Sequence, residues 1–196
     1  MVRLLLVGAN SEMFELAHSL GHDVRAVADT AVQEERWRDC RVLRTDIEAI
    51  ESGGFDAALL AIDSPQDRAK AFNLYTAAGV TCISLSEGWV SESAKCGAAL
   101  LVHRGAHLSA DCVVGVGVRL NYGANVMHDS TLGDFATIAP NAVVLGRVTI
   151  GKMSYVGANA TILPGLKIGM SCTIGAGAVV TCDVSDGRTV KGIPAK

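Results

Sequence analysis

Aliphatic residues recur at every sixth position through the second half of the chain. The series has fourteen members without a break in register: Val102, Leu108, Val114, Leu120, Val126, Leu132, Ile138, Val144, Ile150, Val156, Ile162, Ile168, Ile174 and Val180. Mostly small residues stand four positions after each member, from Ala106 to Val184. A period of six matches neither the α-helix nor the flat strand. The pattern predicts a left-handed parallel β-helix in which three hexapeptide repeats form one triangular coil.

The first half alternates short apolar runs with amphipathic stretches. The runs predict strands at 3–8, 24–28, 56–62 and 81–85, and the stretches predict helices at 12–20 and 64–78. Continuous apolar strands between helices are typical of a parallel sheet covered on both faces. The first half therefore predicts a small Rossmann-like α/β domain.

Composition changes where the pattern changes. Residues 1–101 carry nine basic and fifteen acidic side chains, whereas residues 102–196 carry eight basic and five acidic ones and no Glu. The second segment also holds fourteen of the 21 glycines. We therefore predict two domains, an α/β domain over 1–101 and a β-helix with a C-terminal tail over 102–196.

Whole-chain properties exclude several classes of protein. The net charge is −3, which argues against nucleic-acid binding. No apolar run approaches the roughly 20 residues of a membrane span, and Met1–Gly8 lacks the features of a signal peptide. These observations predict a cytoplasmic protein without membrane insertion. The six cysteines form no C-x-x-C pair and are expected to be reduced, small buried hydrophobic residues.

The carboxyl ends of the predicted front-domain strands are the expected ligand site, because parallel α/β sheets bind ligands there. The residues at these ends are Gly8, Asn10, Ser11, Asp29 and Asp63. The loop from Gly8 to Ser11 suits an anion at a helix N-terminus, but it is not a full G-x-G-x-x-G motif. Two alternatives stay open: Asn10 or Ser11 caps the helix, and Asp29 is a solvated loop residue.

His128 is the one histidine deep within the repeat. It occupies the third position of its hexapeptide, which points outward, and Asp129 follows it directly. A histidine beside a carboxylate suits general-base chemistry near neutral pH. A surface histidine without a role is the alternative.

With these residues in view, the whole chain resembles the two-domain bacterial sugar acyltransferases, which include sialic-acid O-acetyltransferases and nucleotide-linked 4-amino-sugar N-acetyltransferases. The resemblance rests on the α/β front domain, Asn121, the His128–Asp129 pair, Gly146 and the terminal segment 192–196. It implies that the front domain binds a nucleotide-sugar. It further implies a homotrimer with acetyl-CoA in the groove between neighbouring β-helices.

The resemblance also implies roles for individual residues. His128 would be the general base, Asp129 would orient its imidazole, and Asn121 would hold substrate or base. Gly146 would offer its N–H to the developing oxyanion. Contacts to CoA would come from Gly146, Ala158, Ala176 and Pro194.

Three positions depart from the family pattern. Asp129 stands where well-known members carry Glu, and Thr137 stands where they often have a second His. The front loop is Gly8-Ala-Asn-Ser-Glu12, without the family's later Gly and His. The last departure points to a different sugar or weakens the nucleotide-sugar assignment.

The expected activity is acetyl-CoA-dependent N-acetylation of the 4-amino group of a nucleotide-linked amino-sugar for surface glycan synthesis. The alternatives are O-acetylation of sialic acid and a non-catalytic trimeric binding or scaffold protein. A γ-class carbonic anhydrase needs a histidine pair five residues apart, whereas His103 and His107 are four apart. No metal is expected.

Overall fold

A computed structural model describes all 196 residues and divides them into two compact units, Met1–Leu85 and Ser86–Lys196. The predicted boundary lay at Leu101. The β-helix starts earlier because Val90 and Cys96 already pair in register with Leu108 and Val114 of the next coil. The aliphatic series does not show this start, since Cys96 is not aliphatic.

The first unit is a five-stranded sheet with three helices. The strands follow the order β3-β4-β2-β1-β5 and are parallel except for the β3–β4 pair. The elements are β1 (Arg3–Val7), α1 (Ser11–Ser19), β2 (Asp23–Ala28), β3 (Arg36–Trp37), β4 (Cys40–Leu43), α2 (Asp46–Ser52), β5 (Ala57–Leu60) and α3 (Pro65–Ala77).

Three details of the first unit differ from the sequence prediction. The β3–β4 hairpin and α2 were not predicted, and the hairpin turns through Arg38 and Asp39 at φ 46° and 64°. The strand predicted at 81–85 does not form, because only Cys82 bridges to Ala58 while Leu85 opens the β-helix. Apolar residues alone therefore did not reveal which segment belongs to which sheet.

The second unit is a left-handed β-helix of eighteen two-residue strands in three parallel sheets. Most strands pair with the one 18 positions later, as Arg119 does with Thr137, whereas Thr173 in the last coil pairs with Thr189, 16 positions later. The seven-stranded sheet holds β6 (Leu85–Ser86), β9 (Leu101–Val102), β12 (Arg119–Leu120), β15 (Thr137–Ile138), β18 (Tyr155–Val156), β21 (Thr173–Ile174) and β23 (Thr189–Val190).

The other two sheets complete the triangle. The six-stranded sheet holds β7 (Trp89–Val90), β10 (His107–Leu108), β13 (Asn125–Val126), β16 (Val143–Val144), β19 (Thr161–Ile162) and β22 (Val179–Val180). The five-stranded sheet holds β8 (Lys95–Cys96), β11 (Val113–Val114), β14 (Thr131–Leu132), β17 (Thr149–Ile150) and β20 (Lys167–Ile168).

The core of the β-helix is the predicted aliphatic series. All fourteen members are at most 3% exposed. The small residues also point inward, and Ser130 and Ser154 among them are fully buried. Ser154 donates its hydroxyl to Gly169 O and accepts the N–H of Cys172, so it joins neighbouring coils by hydrogen bonds that size alone does not predict.

Candidate active site and front-domain cavity

His128 lies on an exposed corner of the β-helix, in the turn between β13 and β14. The turn is fixed by Asp129, which adopts φ 58° and donates its N–H to Ala110 O at 3.0 Å. On the other side, Arg147 donates its N–H to His128 O at 2.9 Å. The coils below and above therefore hold the backbone of this turn.

The side chains of His128 and Asp129 form a hydrogen bond. His128 Nδ1 lies 2.7 Å from Asp129 Oδ2, and the two side chains are 47% and 53% exposed. A neutral imidazole that donates from Nδ1 to a carboxylate has its lone pair on Nε2. The pair can thus present Nε2 as a proton acceptor at the surface.

Gly146 lies next to the His128 ring on the following coil. A Cβ at Gly146 would come within 2.8 Å of both Cε1 and Nε2 of His128, so the ring in this position leaves room only for glycine. Gly146 also occupies the third position of its repeat, and its N–H makes no hydrogen bond to a neighbouring coil. Pro140 and Pro164, which have no N–H, fill the same position elsewhere. The Gly146 N–H is therefore available beside the imidazole.

The remaining β-helix residues singled out from the sequence lie on another corner. Asn121, Ala158 and Ala176 each follow a strand of the seven-stranded sheet, whereas His128 and Gly146 follow strands of the six-stranded sheet. Pro194 lies in the C-terminal tail, where Ala195 donates its N–H to Val179 O. The structure thus brings together His128, Asp129 and Gly146 and keeps Asn121 and the two alanines one sheet away.

A cavity of about 210 Å³ opens at the carboxyl edge of the front-domain sheet. It is lined by Val7, Gly8, Ala28, Asp29, Thr30, Arg44, Thr45, Asp46 and Ile62. Two of the predicted substrate residues, Gly8 and Asp29, therefore line it, while Asn10, Ser11 and Asp63 do not.

The Gly8–Ser11 loop is hydrogen-bonded mainly to the protein itself. Asn10 Oδ1 caps α1 by accepting the N–H groups of Glu12 and Met13, and the Ala9 N–H donates to Asp29 Oδ2 at 2.7 Å. The sequence left open whether Asn10 or Ser11 caps α1, and in the structure the cap is Asn10. These donors are consequently occupied, and the Glu12 carboxylate adds negative charge in the first turn.

Asp29 is a bridging residue rather than a solvated loop residue. Its Oδ1 accepts the Ala31 N–H at 2.7 Å while its Oδ2 holds Ala9. The carboxylate thus joins the ends of β1 and β2 and shapes one wall of the cavity. Asp63 is exposed, and its carbonyl accepts a hydrogen bond from Arg68, which is 1% exposed.

The family described as "Bacterial transferase hexapeptide (six repeats)" matches residues 147–182. The acetyltransferase domain of PglB from Neisseria gonorrhoeae FA1090, in complex with acetyl coenzyme A, is 30% identical with a TM-score of 0.92. That match covers 99% of this chain and 98% of that one. No curated sequence matches the chain.

Two further solved structures are similar over nearly their whole length. A histidine-to-alanine mutant of GDP-perosamine N-acetyltransferase from Caulobacter crescentus, in complex with CoA and GDP-perosamine, is 26% identical with a TM-score of 0.92 and coverages of 98% and 95%. WeeI from Acinetobacter baumannii AYE is 26% identical with a TM-score of 0.90 and coverages of 100% and 99%.

The chain belongs to the two-domain bacterial sugar acetyltransferases.

Two charged residues that line the acetyltransferase's front cavity were not predicted from the sequence. Arg44 and Asp46 follow β4, a strand whose short apolar part, Val42-Leu43, did not stand out from its charged surroundings. A sequence pattern that predicts them is the short apolar pair Val42-Leu43, followed by Thr45 as a helix N-cap.

The family departure at Thr137 falls outside the His128 corner. Thr137 is 2% exposed and lies in β15 of the seven-stranded sheet. The shorter carboxylate at Asp129, by contrast, still reaches Nδ1. An aspartate in the left-handed turn therefore makes the contact despite being one methylene shorter.

Other features of the acetyltransferase can be stated briefly. All six cysteines are free thiols, but Cys96 and Cys182 are exposed, which corrects the expectation that all are buried. Burial raises the pKa of Cys82 to about 11. No three His, Cys, Asp or Glu side chains are grouped as metal ligands, and no helix is long and apolar enough to cross a membrane.

Proposed function

We propose that the protein transfers acetyl from acetyl-CoA to the 4-amino group of a nucleotide-linked amino-sugar in the cytoplasm, for surface glycan synthesis. The observation that carries this proposal is the His128–Asp129 pair packed over Gly146 on an exposed β-helix corner. The complexes of similar proteins with acetyl coenzyme A, and with CoA and GDP-perosamine, support the choice of substrates.

His128 acts as the general base in this proposal. As the sugar amine attacks the thioester carbonyl carbon, Nε2 takes the proton that the nitrogen loses. The C–N bond forms, the C–S bond breaks, and the proton passes from the imidazolium to the departing thiolate of CoA. A positioned base of this kind contributes about 10²–10⁴-fold.

Asp129 and Gly146 support the same step. Asp129 holds the Nδ1 proton and so keeps Nε2 free to accept. The Gly146 N–H, which the coil does not use, stabilises the oxygen that becomes negative in the tetrahedral intermediate.

The front cavity binds the nucleotide part in this proposal. Gly8 and Asp29 form its wall, and Asn10, Ser11 and Asp63 stand at the same carboxyl edge as supporting residues. Because Asn10 occupies the N–H groups of Glu12 and Met13, the Ser11 N–H is the donor that this turn has left for a phosphate.

We also propose that the site is completed between subunits of a homotrimer. Asn121, Ala158 and Ala176 lie on a different corner from His128, so within one protomer they cannot contact the same acetyl group. Packing the corners of neighbouring β-helices together would place Asn121 of one copy beside His128 of the next. Acetyl-CoA would then run along the groove past Ala158, Ala176 and the Pro194 tail.

Acetyl transfer to a panel of acceptors tests the activity. Nucleotide-linked 4-amino-sugars and sialic acids are incubated with acetyl-CoA and the products are weighed by mass spectrometry. We expect a gain of one acetyl group on a nucleotide amino-sugar, and a loss of about 10²–10⁴-fold in His128→Ala. His18→Ala, a surface histidine on α1, is the matched control and should keep full activity. Transfer to sialic acid alone would establish O-acetylation, and binding of acetyl-CoA without any transfer would favour a scaffold.

Mixed oligomers test the shared site. His128→Ala and Asn121→Ala are each expected to be inactive, but refolding or co-expressing them together should restore part of the activity. Recovery occurs only if one subunit supplies Asn121 to another subunit's His128. If the mixtures are as inactive as the single variants, His128 and Asn121 do not act across a subunit boundary, and the shared site is wrong.

A further inference from the structure

The charge balance of the front cavity favours the nucleoside part of a ligand over its phosphates. Asp29 and Asp46 both line the cavity, and Arg44 is the cation among its lining residues. Two carboxylates against one guanidinium repel a phosphate but accept hydroxyl and N–H donors. The cavity is thus suited to ribose and base.

One carboxylate oxygen of Asp46 is hydrogen-bonded to Tyr75, and the other has no hydrogen bond within the protein. Tyr75 Oη donates to Asp46 Oδ1 at 2.8 Å, and Tyr75 is fully buried. Burial and the neighbouring carboxylate raise the pKa of Tyr75, so it stays a donor at all physiological pH values. Because Oδ1 is engaged, Oδ2 is the Asp46 atom left to accept a hydrogen bond from a ligand.

Arg44 is fixed beside Asp46 by main-chain carbonyls rather than by a carboxylate. Its guanidinium donates to Val32 O at 3.1 Å and to Gln33 O at 2.7 Å. A guanidinium carries five N–H donors, so others stay available for a ligand. Its charge is not offset by a bonded carboxylate, which strengthens hydrogen bonds to a ligand carbonyl.

The order of the strands places this pair at the base end of a bound nucleotide. Gly8 follows β1, Asp29 follows β2, and Arg44 and Asp46 follow β4, in the spatial order β1-β2-β4. Neighbouring strands are about 4.8 Å apart, so the β4 end lies roughly 10 Å from the β1 end. A nucleotide with its phosphates beside Gly8 and its ribose beside Asp29 puts its base at Arg44 and Asp46.

We infer that Asp46 and Arg44 read the nucleobase, and that they select a lactam base: uracil, thymine or guanine. Asp46 Oδ2 accepts the ring N–H, and Arg44 donates to the adjacent carbonyl oxygen. The lactam N–H is a more acidic donor than an exocyclic amine, so it forms the stronger bond to a carboxylate. Cytosine and adenine offer only the amine at this edge. This inference rests on the proposed nucleotide-sugar function.

Equilibrium binding of free nucleoside diphosphates tests the inference without acetyl transfer. Calorimetric titrations of the full-length protein with UDP, GDP, CDP and ADP should show tighter binding of UDP and GDP. In Asp46→Asn, the amide presents N–H to the base, so we expect UDP and GDP to lose about 10- to 100-fold in affinity and their preference over CDP and ADP to vanish.

General electrostatics predict the opposite result, because removal of a negative charge strengthens binding of any diphosphate. Asp39→Asn, at the β3–β4 turn outside the cavity, is the matched control, since Asn tolerates its φ of 64°. It should leave the order of affinities unchanged. Tyr75→Phe keeps the Asp46 charge but frees its side chain, so it should weaken the preference for UDP and GDP with a smaller loss of affinity.

Three results would overturn the inference. Equal losses for all four nucleotides in Asp46→Asn would assign Asp46 to the ribose. An unchanged order of affinities in Asp46→Asn would show that Asp46 does not select the base, while leaving the proposed function intact. If none of the four nucleotides bound and no nucleotide-sugar were acetylated, both the base selection and the proposed function would be wrong. Thermal melting of each variant identifies any that fails to fold, and Tyr75→Phe or Arg44→Lys then carries the same comparison.

Discussion

The imidazole of His128 lies so close to the backbone of Gly146 that a single methyl group at Gly146 would come within 2.8 Å of Nε2. The two residues are eighteen positions apart in the chain and adjacent on one corner of the β-helix. The observed position of the His128 ring therefore requires glycine at position 146, whatever role the Gly146 N–H has in addition.

Gly146→Ala is expected to reduce kcat/KM by about 10²-fold with little loss of stability. The added methyl group displaces the ring by about an ångström, which is enough to misplace a general base. Steady-state acetyl-transfer kinetics and thermal melting measure the two effects. Gly187→Ala, in the same unit at φ 69° with no atom near its Cβ, is the control that strains the backbone away from the site. Full activity in Gly146→Ala would contradict the close packing.

Asp129→Asn is expected to lower kcat by roughly 10- to 100-fold, less than loss of the base itself. The amide no longer stabilises the imidazolium that forms during transfer, while Asn suits the φ of 58° at this turn. Stability should therefore be unchanged. Asp129→Glu keeps the charge and should recover part of the rate. If Asn were as active as Asp, the 2.7 Å contact to Nδ1 would have no part in the reaction.

Asn10→Ala is expected to destabilise α1 by about 1 kcal/mol. The variant leaves the N–H groups of Glu12 and Met13 without their side-chain acceptor. Native-state hydrogen exchange of these two amides reports the local effect, because unfolding of a two-domain chain is not a single transition. Ser11→Ala, the other capping candidate, should leave exchange unchanged. Faster exchange in Ser11→Ala instead would mean that the cap is misassigned.

Ser154→Ala is expected to lower the free energy of unfolding of the β-helix by about 1–3 kcal/mol. The variant leaves a half-buried carbonyl at Gly169 and a buried N–H at Cys172 without partners. Denaturant unfolding measures the change. Ser109→Ala, at a half-buried position without a side-chain hydrogen bond, should change stability by less than about 0.5 kcal/mol. Equal effects in both variants would show that the two Ser154 bonds contribute nothing net.

The repeat made the β-helix predictable to the level of single residues. All fourteen aliphatic positions from Val102 to Val180 are buried as expected, because a period of six leaves one inward position per side of the coil. The same register placed His128 outward beside Asp129. Its start was less clear, since Cys96 interrupts the aliphatic series while the backbone pairing continues back to Leu85.

The front domain was harder to predict because its elements depend on distant partners. Strand β4 has only four residues and is stabilised by pairing with β2, so its local pattern carries little signal. The cavity residues Arg44 and Asp46 were missed along with it. The predicted strand at 81–85 failed for the same reason: Leu85 belongs to β6, which lies beside β9 in the seven-stranded sheet of the β-helix.

The sequence by itself determined the β-helix, its buried positions and the outward histidine–aspartate pair, because each follows from a strict local period. Only the tertiary structure decided which side chains meet. Residues eighteen positions apart, such as His128 and Gly146, become neighbours through stacking of coils. The tertiary fold also determined that Asn121 lies on another corner, and that Tyr75 donates a hydrogen bond to Asp46 in the lining of the front cavity. Such contacts depend on backbone pairing between distant segments, which no local pattern encodes.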